Sequence, residues 1–183
     1  MQKLIFVAFL LLWETSYSQD TLSFRDKSII VASTATNATV MAVHDGDSYK
    51  VKMDNGETKW IRLWGVDCPE VISNHINKNQ PYGVQSANTI RQLIKGKRVI
   101  VDSVTTDIYD RDVCKVWYDT INLTDYILLN GLGWWYNNSK VKPKVLDYLK
   151  AYQTQAQDSK LGLWGLPGRK IRPDKWRKSN WRD

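Results

Sequence analysis

Ten consecutive residues, Ile61-Arg-Leu-Trp-Gly-Val-Asp-Cys-Pro-Glu70, bring one guanidinium and two carboxylates into a short span. Arg62 can grip an anion through a planar fork of N–H donors. Asp67 and Glu70 offer hard oxygens for a cation, or a base for the proton of a water. Such a mixture is costly in an apolar core and useful beside a phosphate. Two other clusters carry related chemistry: Asp45-Gly-Asp47-Ser before this stretch and Asp107-Ile-Tyr-Asp-Arg111 after it.

Each cluster also has a plain reading. Asp45-Gly-Asp47 is a hairpin turn, and it is no EF-hand, because Tyr49 stands at the third ligand position and no Glu closes the loop. Asp67 and Glu70 fit the N-cap and N3 positions of a capping box with Pro69 in the first turn. That reading needs an amphipathic helix downstream, and Val71–Asn79 is a poor one. The 107–111 cluster reads as a solvated turn. Arg62, flanked on its face by Trp60 and Trp64, reads as a stacked side chain.

The surrounding pattern decides how these clusters are held. Thr39–His44, Tyr49–Met53 and Thr58–Trp64 alternate as strands, and the Asp-Gly and Asn-Gly pairs between them predict a three-stranded meander. Val84, Ala87, Ile90 and Leu93/Ile94 recur at helical spacing, with Gly96 as a stop. Two more strands, Arg98–Asp102 and Val113–Tyr118, flank a polar loop. Helices follow over Leu123–Asn130 and about Lys144–Ser159. Three strands, a helix, two strands and two helices fit an α+β, mainly β fold: a five-stranded OB-type Greek-key barrel with about three helices. Residues 38–166 form the expected domain, 19–37 a flexible leader and 167–183 a basic, Trp-containing tail.

Among 183 residues, Lys and Arg exceed Asp and Glu by seven, and the sequence pI is near 9.3. That balance suggests a polyanionic partner without choosing one. Residues 1–18, with Lys3, an apolar run from Leu4 to Trp13 and small residues at Ser16 and Ser18, read as a signal peptide. Export to a secreted or periplasmic location, with no membrane attachment after cleavage, is the expectation. Two cysteines, Cys68 and Cys114, with His44 and His75 match no zinc-site spacing.

Taken jointly, the clusters resemble the staphylococcal nuclease (thermonuclease) family. The resemblance rests on Asp45-Gly-Asp-Ser, Ile61–Glu70, Tyr82-Gly83, Asp107–Arg111, Asn130-Gly-Leu-Gly133 and Gly162-Leu-Trp164, spanning about Thr39 to Trp164. It implies a nuclease that cleaves DNA and RNA to 3′-phosphates and 5′-hydroxyls. It further implies Ca²⁺ held by Asp47, Asp67 and the main-chain carbonyl of Cys68. Arg62 and Arg111 would bind the scissile phosphate, Glu70 would act as general base, and Tyr109 would meet the nucleotide at the rim. Ser48 and Cys68 stand where the best-known member has threonine, Asp110 replaces a glycine, and Ile108 replaces a basic residue.

Beyond the motifs, Trp134 and Trp135 could stack on bases or pack in the core. The tail could track phosphates or remain a solvated end. A disulfide between Cys68 and Cys114 would add about 4 kcal/mol in the chain-entropy model, against the alternative of two buried thiols. A monomer is expected. The competing function is a catalytically inactive OB-type nucleic-acid-binding module, which needs the cations but not Glu70.

Overall fold

Alternating apolar residues and two tight turns make β1 (Thr36–Asp45), β2 (Ser48–Met53) and β3 (Thr58–Leu63), joined antiparallel as a meander. The computed structural model describes residues 34–72, 78–136 and 147–180, all within the unit Ala32–Asp183. Along β1 the buried positions begin as Ala38 and Val40, then change phase to Val43 and Asp45. A register irregularity between Val40 and Ala42 accounts for the change, since one extra residue exchanges the faces of a strand. Asp45 is thereby turned to the buried side.

The chain continues through β4 (Val66–Asp67), α1 (Gly83–Ile94), β5 (Arg98–Thr106), β6 (Asp112–Tyr118), β7 (Ile121–Asn122) and α2 (Leu123–Leu129). Then come β8 (Trp134–Trp135), α3 (Asp147–Asp158), a 3₁₀ turn at Gly162–Gly165 and α4 (Pro173–Asn180). β5 pairs antiparallel with β1 and β6, and β6 pairs in parallel with β3, so five strands close into a barrel. The closing register sets Ile61 opposite Asp112, Arg62 opposite Val113 and Leu63 opposite Cys114. Val40, Tyr49, Val51, Ile61, Leu63, Val101 and Val116 fill the interior.

α1 buries Ser86, Ala87, Ile90 and Ile94. α2 starts at Asn122, whose side chain accepts from the main-chain N–H groups of Thr124 and Asp125. α3 lays Leu149 against the turn that links β3 to β4. Gly65 makes that turn with φ +80, and a Cβ there would meet Leu149 Cδ1 at 2.8 Å. Glycine therefore satisfies both the backbone and the packing.

Several expectations are corrected. The five-stranded barrel with its helices is as expected; the described residues include four helices, and residues 173–180 of the expected tail form the last, α4. β1 begins at Thr36, inside the stretch assigned to the leader. The helix read over 144–159 is described from Asp147; its first residues, like the signal peptide and leader up to residue 33, lie outside the described residues. Of the two alternatives open for the cysteines, the structure has the buried thiols: Cys68 and Cys114 are both free. Each thiol has its own niche: Cys68 Sγ lies against Gly46 and Gly133, while Cys114 sits on β6 opposite Ser103 of β5.

Candidate active site

The turn between β1 and β2 is fixed first. Tyr49, fully buried, donates its hydroxyl to the carbonyl of Gly46 at 2.7 Å, and the main-chain N–H of Leu63 donates to the carbonyl of Asp47 at 2.7 Å. Asp45 Oδ1 accepts from the N–H of Asp47 at 3.2 Å. A Cβ at Gly46 would lie 2.6 Å from both Cys68 Sγ and Ser86 Oγ, so the turn can approach the Asp67–Glu70 loop only with glycine there. Asp47 spans the gap: its Oδ2 accepts from the N–H of Cys68 at 2.7 Å, and its Oδ1 from Ser48 Oγ at 3.1 Å.

Asp67 is placed by pairing of β4 with β8, opposite Trp134. Arg62 on β3 joins the two aspartates. Its Nη1 lies 3.2 Å from Asp47 Oδ1, and its Nη2 donates to Asp67 Oδ1. Glu70 is anchored through its main chain, with its N–H donating to Gln80 Oε1 at 3.2 Å and its carbonyl accepting from Gln80 N at 3.0 Å. Asp45, Asp47, Asp67 and Glu70 are all at most 6 % exposed.

Burial of so much like charge sets the electrostatics. Desolvation first, then repulsion from Asp45 and Asp67, holds Asp47 well above the usual carboxylate range despite Arg62. Burial also raises Asp45, helped by Glu70. Glu70 is pushed up to about 7 by burial and by Asp47, against the pull of Arg177. Burial opposes charge on Arg62, yet Asp47, Asp67, Asp45 and Glu70 together hold its guanidinium above its ordinary value. Four carboxylates face two arginines, an arrangement short of positive charge.

The donor chemistry bears on a metal. Among the described residues no group of three or more His, Cys, Asp or Glu side chains forms a metal cage. Asp47 and Asp67, bridged by one guanidinium, are two hard-oxygen donors in a negatively charged pocket. That set fits a hard divalent cation completed by main-chain, solvent or substrate oxygens. The thiol of Cys68 is no part of it. It is buried beside Ser86, and burial followed by repulsion from Asp47 raises it well above an ordinary thiol, which leaves it a neutral packing group.

The remaining sequence-marked residues are placed less centrally. Arg111 directly precedes β6, whose first residue pairs with Ile61 beside Arg62. Its guanidinium is held by Asp107 in its own loop, with Nε donating at 2.9 Å and Nη2 at 2.7 Å to Oδ2. Tyr109 is 71 % exposed with its ring 5.4 Å from Arg111 Cζ, a rim position. Asp110 takes φ +58, the left-handed conformation that suits the glycine it replaces. Trp134 is buried and meets Trp164 edge-on at 5.4 Å. It is a packing residue and has no face for a base. Trp135 is half-buried, with its main-chain N–H donating to Gln153 Oε1 at 2.8 Å.

Two site residues were not marked. Asp45 belongs to the Asp-Gly-Asp signature, but its inward turn depends on the β1 irregularity. Arg177 of α4 bonds both Asp67 and Glu70; as part of the basic tail it reads as a phosphate-tracking cation, and no motif places it at these carboxylates. The groove lined by Asp147, Thr154 and Asp158 on α3 contains none of these residues.

Residues 60–165 match the model of the family described as "Staphylococcal nuclease homologue". A protein of Escherichia coli O157:H7 named "Uncharacterized endonuclease" is 32% identical over 126 residues, 68% of this chain and 74% of its own. A "Probable endonuclease LCL3" of Komagataella phaffii is 33% identical over 125 residues, 64% of this chain and 54% of its own. A Haemophilus influenzae "Uncharacterized endonuclease" is 29% identical over 139 residues, 76% and 71% of the two chains.

Proposed function

Because the chain belongs to the staphylococcal nuclease homologue family, we propose that it is a nuclease, and more narrowly a Ca²⁺-dependent phosphodiesterase acting on DNA and RNA. One observation carries the reading: three separate segments bring Asp47, Arg62, Asp67 and Glu70 into one buried cluster. A module that only bound nucleic acid would need cations on its surface. It would have no use for four carboxylates beneath them, which repel phosphate.

Asp47 and Asp67 would hold the cation, with the carbonyl of Cys68 as the third protein donor. Bound there, Ca²⁺ would supply positive charge to the non-bridging oxygens of the phosphate. Arg62 and Arg111 would bind the phosphodiester and stabilise the charge that builds on its equatorial oxygens during in-line attack. For Arg111 this requires exchanging Asp107 for the phosphate, one charge-assisted bidentate partner for another. Glu70 would take the proton of the attacking water. Its raised pKa of about 7 makes it a better base than an ordinary carboxylate once ionised. The bond from phosphorus to the 5′ oxygen breaks and that oxygen takes up a proton from solvent, giving a 5′-hydroxyl and a 3′-phosphate. Tyr109 and the exposed part of Trp135 would border the nucleotide.

The apolar run of residues 4–13 after Lys3 supports export, which would deliver the protein to compartments where Ca²⁺ can be millimolar. A monomer suffices for this chemistry, since every named residue comes from one chain. The test is degradation of DNA and RNA by the wild type with Ca²⁺, with EGTA and with Glu70→Ala. Cleavage lost under EGTA and reduced about 10²–10³-fold in Glu70→Ala is expected. Nucleic-acid binding without cleavage in all three would favour the binding module.

A further inference from the structure

Arg177 sets both terminal nitrogens of its guanidinium on the site. Nη1 donates to Asp67 Oδ1 at 3.1 Å and to Glu70 Oε1, and Nη2 donates to Asp67 Oδ2 at 3.1 Å. With Arg62 also on Asp67 Oδ1, both oxygens of Asp67 are occupied from within the protein. The contact is built, not incidental. Gln80 is buried and ties the two partners together: its Oε1 accepts from the N–H of Glu70, and its Nε2 donates to the carbonyl of Ile171 at 2.7 Å, just before α4. Pro173, the first residue of α4, is buried as well. Asp67 and Glu70 together hold Arg177 above its ordinary range although burial opposes its charge.

These are the oxygens that a metal ion and an activated water would need. We propose that α4 is a tethered counter-cation: Arg177 competes with the divalent cation for Asp67 and covers Glu70, and α4 must lift before cation and phosphate occupy the site together. This rests on the cation-dependent nuclease reading. Lys175 and Lys178 flank Arg177, so a polyanionic strand offers the released helix a new partner. Nucleic acid would then favour cation binding and cation would favour nucleic acid, as reciprocal coupling requires.

Calorimetric titration of the full chain with Ca²⁺, without substrate, tests this apart from activity. Arg177→Ala should bind Ca²⁺ at least about fivefold more tightly than wild type, the lower range of coupling between linked sites. Arg177→Lys keeps the charge without the fork and should fall between them. Lys178→Ala, a neighbour whose loss changes charge alone, should match wild type. In the wild type, saturating Ca²⁺ should speed hydrogen exchange of the amides in 174–180 and leave β1–β3 protected. Equal Ca²⁺ affinity in wild type and both Arg177 variants, or α4 amides that stay protected with Ca²⁺ bound, would overturn the strap and leave the cation site standing. No Ca²⁺ binding by any variant would overturn the strap together with the cation-dependent reading.

Discussion

The loop carrying Arg111 and the helix carrying Arg177 make an instructive pair. Both arginines belong to surface elements, and each finds a carboxylate at close range. Arg111 is bonded to Asp107, four residues away in its own exposed loop. Arg177 is bonded to Asp67, 110 residues away and fully buried. A local, partly exposed pair is worth little and is easily exchanged. A guanidinium set on buried, crowded carboxylates joins Arg62 in neutralising charge that is shielded from solvent. On the proposed function, the first arginine would exchange its partner for a substrate, whereas the second would restrain the site.

The largest expected effect separates the two roles. Arg111→Ala should lower turnover about 10²–10³-fold, roughly 3–4 kcal/mol of transition-state stabilisation. Thermal stability should stay near that of wild type, because the lost pair is partly exposed. Arg177→Ala should cost no turnover at saturating Ca²⁺. Steady-state kinetics on a defined oligonucleotide, with melting curves for both proteins, would erase the distinction if the two variants lost activity alike.

A smaller effect concerns the carboxylates. Glu70 has its pKa raised from 4.5 to about 7 on folding, and Asp45 and Asp47 are raised as well. The folded protein thus holds protons that the unfolded chain would release. Their contribution to stability is full below the unfolded value and is lost as pH rises through the folded one. Cation-free protein should therefore lose stability as pH rises from about 4.5 to about 7. Glu70→Gln should flatten that slope, and Ca²⁺ should restore more stability at the upper end. Denaturant unfolding at several pH values reads this out. A slope unchanged in Glu70→Gln would remove Glu70 from the coupled cluster.

Much of the barrel was legible because its causes are local. Asp-Gly and Asn-Gly turns fix the meander, and alternation fixes which face is buried. The motif clusters also gave Asp47, Arg62, Asp67 and Glu70, which the fold brings together. What was missed depends on distant partners. α4 is eight residues long, begins with proline and is mostly polar, so it has little apolar stripe to announce it. Its position comes from Gln80, Pro173 and Arg177 acting on a loop far away in sequence. Trp134 was ambiguous because its neighbour Trp164 lies thirty residues on, and period-based reading sees only the near chain. The even cysteine count suggested a bridge, but the packing of Cys68 against Gly46 and of Cys114 within β6 is a matter of three-dimensional register.

End-group analysis of a defined oligonucleotide tests the central claim most directly. After incubation with Ca²⁺, mass spectrometry of the wild-type products should find 3′-phosphates and 5′-hydroxyls. EGTA should abolish those products, and Glu70→Ala should reduce them about 10²–10³-fold, while leaving the oligonucleotide bound. Products ending in 5′-phosphate, or cleavage that proceeds equally with EGTA and without Glu70, would contradict the chemistry assigned to Asp47, Arg62, Asp67 and Glu70.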